Sequence, residues 1–171
     1  TRLGEMLRKL HQARLLERFI ADFAHARGLC EFNQYHKYTV DEHCFQAVDE
    51  ATELQFDSGP LGRVYRQLAR KHVLHLALLI HDLGKGTTPR AEWPRHIAHE
   101  QRGIKLVDQA CKRLRAPNQF RDLASKVCQY HTHCHRALEL RGDTLLKLLT
   151  ATDALRRPER FEAFLLACEA D

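Results

Sequence analysis

Apolar residues in this chain return every three or four positions, the repeat that gathers them on one face of an α-helix, and no long segment alternates as a strand would. In "LGEMLRKLHQARLLERFI" (residues 3–20) the repeat predicts an amphipathic helix, with a break near Gly28. "YTVDEHCFQAVDEATEL" carries Thr39 and, three positions on, Glu42, the capping-box spacing that opens a helix and sets His43 in its first turns. After the turn signal "DSGP", Pro60 suits a first helical position, and the next helix runs to about residue 80 or 82, ended by Gly84 and Gly86. Two prolines and Trp93 make residues 87–96 an irregular loop. Helices resume at about 98–115, 118–131, 143–155 and 158–171, with the polar, histidine-rich residues 131–142 as a second loop. The expected architecture is all-α, a bundle of about six to eight helices. A chain of 171 residues, 44% of them apolar, suits one shared core, so residues 1–171 are read as a single domain.

Composition removes several function classes. The longest apolar run, residues 73–80, is interrupted by His75 and falls short of the ~18 residues that span a bilayer. No basic-then-apolar leader opens the chain, although its start at Thr1 and its stop within a helical pattern read as a trimmed piece. Six cysteines without a CxxC pair indicate neither a disulfide framework nor a zinc ribbon, and a reducing cytoplasm is the expected compartment. The net charge of +5 is mild, and basic runs such as "KRLR" have no interleaved aromatics. Phosphate-bearing ligands are therefore compatible, while nucleic acid is not favoured. Twelve histidines point further, because metal coordination is the most economical use of several of them.

"LALLIHDLGKGTTP" (residues 76–89) is where chemistry enters. An aspartate at the buried end of an apolar helix is costly unless it is paired or metal-bound, and His81 beside Asp82 offers a second ligand. Neighbouring helical residues point about 100° apart, so both reach one ion only where the backbone turns away, a turn assigned to the glycines. A helix end at which His81 merely meets the terminal carbonyls stays open as the alternative. Other candidate ligands are His43, His96 and His99, the group His131, His133 and His135, and Asp153 in "LLKLLTATDALRRP". Asp153 sits among leucines at helical spacing; its other role would be pairing with Arg156 or Arg157. Imidazole together with carboxylate suits zinc, manganese, iron or nickel better than calcium.

The succession His43, His81–Asp82, Asp153 resembles the H…HD…D signature of the HD superfamily of metal-dependent phosphohydrolases, and "HDLGKG" is a specific form of its central motif. Residues 7–86, above all "FNQYHKYTVDEH" and "HLALLIHDLGKG", resemble the HD domain of the bifunctional uridylyltransferase/uridylyl-removing enzyme. From "HDLGKGTTPRAEWPRHIAHEQRG" through "RLRAPNQFRDLA" to "DALRRPERF" the chain is similar to the HD domain of bacterial multifunctional CCA-adding tRNA nucleotidyltransferases. The two resemblances meet at residues 81–87, which reads as the seam of a chimera.

The resemblance implies an HD-domain helical bundle that holds one or two divalent ions (Mn, Ni, Zn, Fe or Mg). It assigns as ligands His43, His81, Asp82 and Asp153, with His99 and His131 enlarging the site toward a second ion. His96, His133 and His135 read as loop or outer residues, and His72 and His75 as core or support. His36 and Lys37 either approach the site or belong to a solvated loop. Asp82 and Lys85 are the catalytic candidates, and Lys85, Arg102 and Lys105 are the candidates for the substrate's remaining phosphate oxygens. The implied activity is phosphodiesterase or phosphatase action on nucleotides or cyclic nucleotides by metal-activated water. Uridylyl-removing hydrolysis of a nucleotidylated protein is one alternative, and a non-catalytic helical module that binds nucleotide or protein is another. Imperfect packing across the seam would favour a homodimer.

Overall fold

The computed structural model describes residues 2–30 and 38–171, so the expectations for His36 and Lys37 lie outside the described residues. The helices are α1 (Leu3–Gln12), α2 (Leu16–Phe19), α3 (Val40–Glu53), α4 (Pro60–Gln67), α5 (Lys71–Ile80), α6 (His99–Arg113), α7 (Asn118–His135), α8 (Gly142–Ala151) and α9 (Pro158–Ala170). Short 3₁₀ turns join several of them, and no strand occurs among the described residues. The all-α expectation holds, and none of these helices is long and apolar enough to cross a membrane. Helix α5 is the hub: Leu74, Ala77, Leu78 and Ile80 are fully enclosed, with α3, α7 and α9 packed around them. Phe45 and Val48 from α3, Val127 and Cys128 from α7, and Phe164 and Leu166 from α9 complete the same core.

There are more helices than the apolar repeat predicts, because two expected helices are each divided. The first is interrupted at Arg14, ahead of Gly28, where a left-handed residue (φ 56°) turns the chain and delivers Leu16 into the core. The helix expected from Pro60 onward breaks at Leu68, whose extended backbone ends α4. Lys71 donates to the carbonyls of Arg66 (3.3 Å) and Leu68 (3.1 Å), satisfying groups that a continuous helix would have used itself. Tyr65 and His75 then meet across the bend, hydroxyl to ring nitrogen at 3.0 Å. The opposite correction applies to the expected loop after residue 131, since α7 continues through His135.

Two local mechanisms differ from expectation. Thr39 does precede α3, but its side chain makes no capping bond. Glu42 instead receives the Arg8 guanidinium at 2.6 Å, which ties α1 to α3. Gly84 and Gly86 do not swing the chain away through left-handed backbone; α5 tightens into the 3₁₀ turn Leu83–Thr87. Gly84 is needed for contact, because a Cβ there would fall on the His99 carbonyl oxygen. The start of α6 thus lies directly against the turn that carries Lys85.

Candidate metal centre

Five separate parts of the fold bring side chains to one buried point. His43 comes from the second turn of α3, His81 and Asp82 from the end of α5, His99 from the first residue of α6, His131 from α7, and Asp171 from just beyond α9. Asp82 is central, with its side chain 1% exposed. Its Oδ2 faces the Nε2 atoms of His81 (3.4 Å) and His43 (3.6 Å), while Oδ1 faces those of His99 (3.3 Å) and His131 (3.6 Å). Asp171 Oδ1 lies 2.8 Å from His43 Nε2 and 2.9 Å from His81 Nε2. Ligand atoms within 4.8 Å of one another form three overlapping sets: His43, His81 and Asp82; His81, His131 and Asp171; Asp82, His99 and His131.

The outer nitrogens explain how three of the rings are aimed. His81 Nδ1 meets the Leu78 carbonyl at 2.7 Å, His99 Nδ1 that of His96 at 3.0 Å, and His131 Nδ1 that of Val127 at 3.0 Å. A carbonyl only accepts, so each Nδ1 carries a proton and each Nε2 is the nitrogen that faces inward. Five of the converging atoms, His81 Nε2, His99 Nε2, both Asp82 oxygens and Asp171 Oδ1, are buried without an aligned hydrogen bond. Apart from Asp82 Oδ2, which also meets Lys85 Nζ at 2.7 Å, these atoms face one another without an aligned hydrogen bond, as groups that share a cation would, and an imidazole–carboxylate set suits a divalent transition metal. The residues present fit such an ion.

Electrostatics follow the same arrangement. Burial alone would push the Asp82 carboxyl up, but Lys85, with Nζ 2.7 Å from Oδ2, and His81 hold it well below the usual carboxylate range. Asp171 is likewise held low against its burial by His81 and His43. Burial would lower His81, yet the Asp171 and Asp82 carboxylates raise it well above an ordinary imidazole. Burial dominates at His131, which is lowered to about 4 despite Asp82 and is therefore neutral at physiological pH.

Several expected site residues are placed elsewhere. Asp153 does not reach the cluster: it holds the left-handed position (φ 61°) that closes α8, and its carboxylate pairs with Lys126 at 2.9 Å and Arg160 at 3.6 Å. The carboxylate that does converge is Asp171, at the close of "FLLACEAD". Arg102 donates to Thr88 Oγ1 at 2.9 Å and lies 3.8 Å from Glu92. Lys105 lines a separate groove with Asp108 and Asp122. His135 approaches from the side, 3.5 Å from Asp171 Oδ2, and meets the Cys168 carbonyl at 2.9 Å. His96 is buried, with Nδ1 2.9 Å from Thr88 Oγ1, and lines the cavity, whereas His133 is exposed beside Tyr130. His72 is exposed against Phe120, so it is not a core residue. The cluster opens into a cavity of about 560 Å³ bordered by Tyr38, Gln46, Glu50, Lys85, Arg95 and Thr132.

The HD domain family model matches residues 40–157 of this chain, which takes in His43, His81, Asp82, His99 and His131. The chain belongs to the HD domain family. Asp171 lies beyond the matched stretch of this HD domain, and only the fold returns it to the others. The Multifunctional CCA protein of Alkalilimnicola ehrlichii is 45% identical over 165 residues, 96% of this chain and 37% of that protein. Those of Teredinibacter turnerae and Hahella chejuensis are each 60% identical, over 105 and 104 residues, 61% of this chain and 26% and 25% of theirs. The HD domain therefore spans about a quarter to somewhat over a third of the length of the curated relatives it matches. No solved structure matches. The match to the Alkalilimnicola ehrlichii protein covers 96% of the chain and so runs across residues 81–87.

Proposed function

We propose that this HD domain is a metal-dependent phosphohydrolase, acting as a phosphodiesterase or phosphatase on nucleotides or cyclic nucleotides. The observation that carries the reading is Asp82: a fully buried carboxylate with one oxygen toward His43 and His81 and the other toward His99 and His131. His43, His81, Asp82 and Asp171 would hold one divalent ion, and Asp82, His99 and His131 would hold a second. A bound ion supplies Lewis acidity, lowering the pKa of water toward neutrality and drawing charge from phosphorus. The chain's own contribution is to fix the ligands. Lys85 neutralises Asp82, the backbone carbonyls of Leu78, His96 and Val127 lock three imidazoles, and the flanking cavity accommodates a nucleotide-sized ester.

The relatives bear the name Multifunctional CCA protein, and this chain corresponds to a minor part of their length, so hydrolysis of small esters is the activity proposed for the domain itself. The test is metal analysis of purified protein followed by assay of bis-p-nitrophenyl phosphate and cyclic nucleotides with and without Mn²⁺. Activity that depends on metal and falls at least a hundredfold in Asp82→Ala is expected. Fully metallated protein that hydrolyses none of these, or an Asp82→Ala variant as active as the parent, would overturn the reading.

A further inference from the structure

The three cations that the sequence offers for substrate phosphate are largely committed elsewhere. Lys85 is engaged with Asp82, Arg102 with Thr88 and Glu92, and Lys105 faces another groove. Arg95 is different. It borders the cavity in front of the cluster, its side chain is exposed, and no carboxylate lies within ion-pair distance of it among the described residues. We propose that Arg95 is a substrate-binding residue whose guanidinium grips phosphate oxygens that the metal centre leaves uncovered, and that Thr88 is the positioning residue that aims it. This rests on the phosphohydrolase reading for its substrate class. A planar guanidinium offers paired donors that match two oxygens of one phosphate, which a lysine ammonium does not.

The strap that carries Arg95 is built to be held. His96 (φ 46°) and Ala98 (φ 55°) are both left-handed without being glycine, a conformation that persists only when neighbouring groups impose it. Thr88 anchors the strap at two points. Its carbonyl accepts the Trp93 indole N–H at 3.0 Å, and its hydroxyl accepts from Arg102 at 2.9 Å and lies 2.9 Å from His96 Nδ1. Arg95 lies between those two anchors, Trp93 and His96, with its own N–H bonded to the Glu92 carbonyl at 3.0 Å. The expected phosphate contact Arg102 therefore acts at one remove, as a brace for the residue that makes it.

Calorimetric titration of inorganic phosphate into Mn²⁺-loaded protein tests this without relying on turnover, with metal content measured in the same samples. Arg95→Ala is expected to bind the same amount of Mn²⁺ but phosphate at least tenfold more weakly, and Arg95→Lys to recover only part of the loss. Thr88→Val should reproduce the Arg95→Ala weakening, and Thr88→Ser, which keeps the hydroxyl, should restore it. With a hydrolysed ester, KM should rise in Arg95→Ala while kcat changes little. Phosphate affinity unchanged in Arg95→Ala, or a metal-loaded parent that binds no phosphate, would overturn the proposal. Phosphate binding that depends on Arg95 in a protein that hydrolyses no ester would instead sink the phosphohydrolase reading and leave Arg95 as an anion-binding residue.

Discussion

Asp153 and Asp171 show what decides whether a carboxylate becomes a ligand. Both follow apolar helices, but Asp153 occupies the left-handed position that ends α8, which turns its side chain outward to Lys126. Asp171 continues from α9 with its side chain 4% exposed, facing two imidazoles. Asp171→Asn is therefore expected to lose at least half of the bound metal, whereas Asp153→Asn should keep all of it and shift the melting temperature only slightly. Atomic absorption on the two purified variants makes the comparison. Full metal content in Asp171→Asn would exclude it as a ligand. The contrast also explains what the sequence can disclose about single residues. The pair His81–Asp82 stands in a local pattern, the end of an apolar helix, that carries its own reason to be buried. Nothing local separates Asp153 from Asp171, because the difference is one backbone dihedral and a cation 27 positions away.

Helices α1 and α3 are joined through polar groups that the apolar repeat cannot register. Asp41, in the first turn of α3, accepts from the backbone N–H groups of Gly28 and Glu42, both at 3.0 Å, and meets His11 Nε2 at 3.0 Å. Burial would raise its pKa, but Thr39 and these partners together hold it below the usual carboxylate value. A group whose pKa is lowered by folding adds stability above its unfolded pKa, and that stability is lost as pH falls through the folded value. The parent should therefore lose stability on acidification below about pH 4, and Asp41→Asn should be less stable at neutral pH by about 1–3 kcal/mol, with the gap narrowing in acid. Urea unfolding of both proteins at neutral and acid pH measures it; a gap that widened in acid would contradict the assignment. Helix positions were legible from apolar spacing because one buried face demands it. The breaks at Arg14 and Leu68 were not, since they are made by local backbone hydrogen bonds and a lysine cap, none of which changes the apolar spacing.

At the scale of the whole molecule, the candidate centre fastens α3, α5, α6, α7 and the residue after α9 together, although these join the core by different faces. Anything that binds this arrangement and not the unfolded chain stabilises it in proportion to the logarithm of its concentration over its Kd. Chelation with EDTA is expected to lower the melting temperature by several degrees and added Mn²⁺ to restore it, with no such response in Asp82→Ala. Scanning calorimetry would show this, and a parent indifferent to both treatments would argue against a metal-holding cluster. The positions concerned run from 43 to 171, and apart from His81 and Asp82 every pair of them closes a long stretch of chain. Such closures are entropically costly, and the full set of ligands, which needs all of them at once, is expected to be completed after the transition state has been crossed. Ion capture then belongs to the native side of the barrier: it would retard unfolding while leaving the rate of folding almost unchanged.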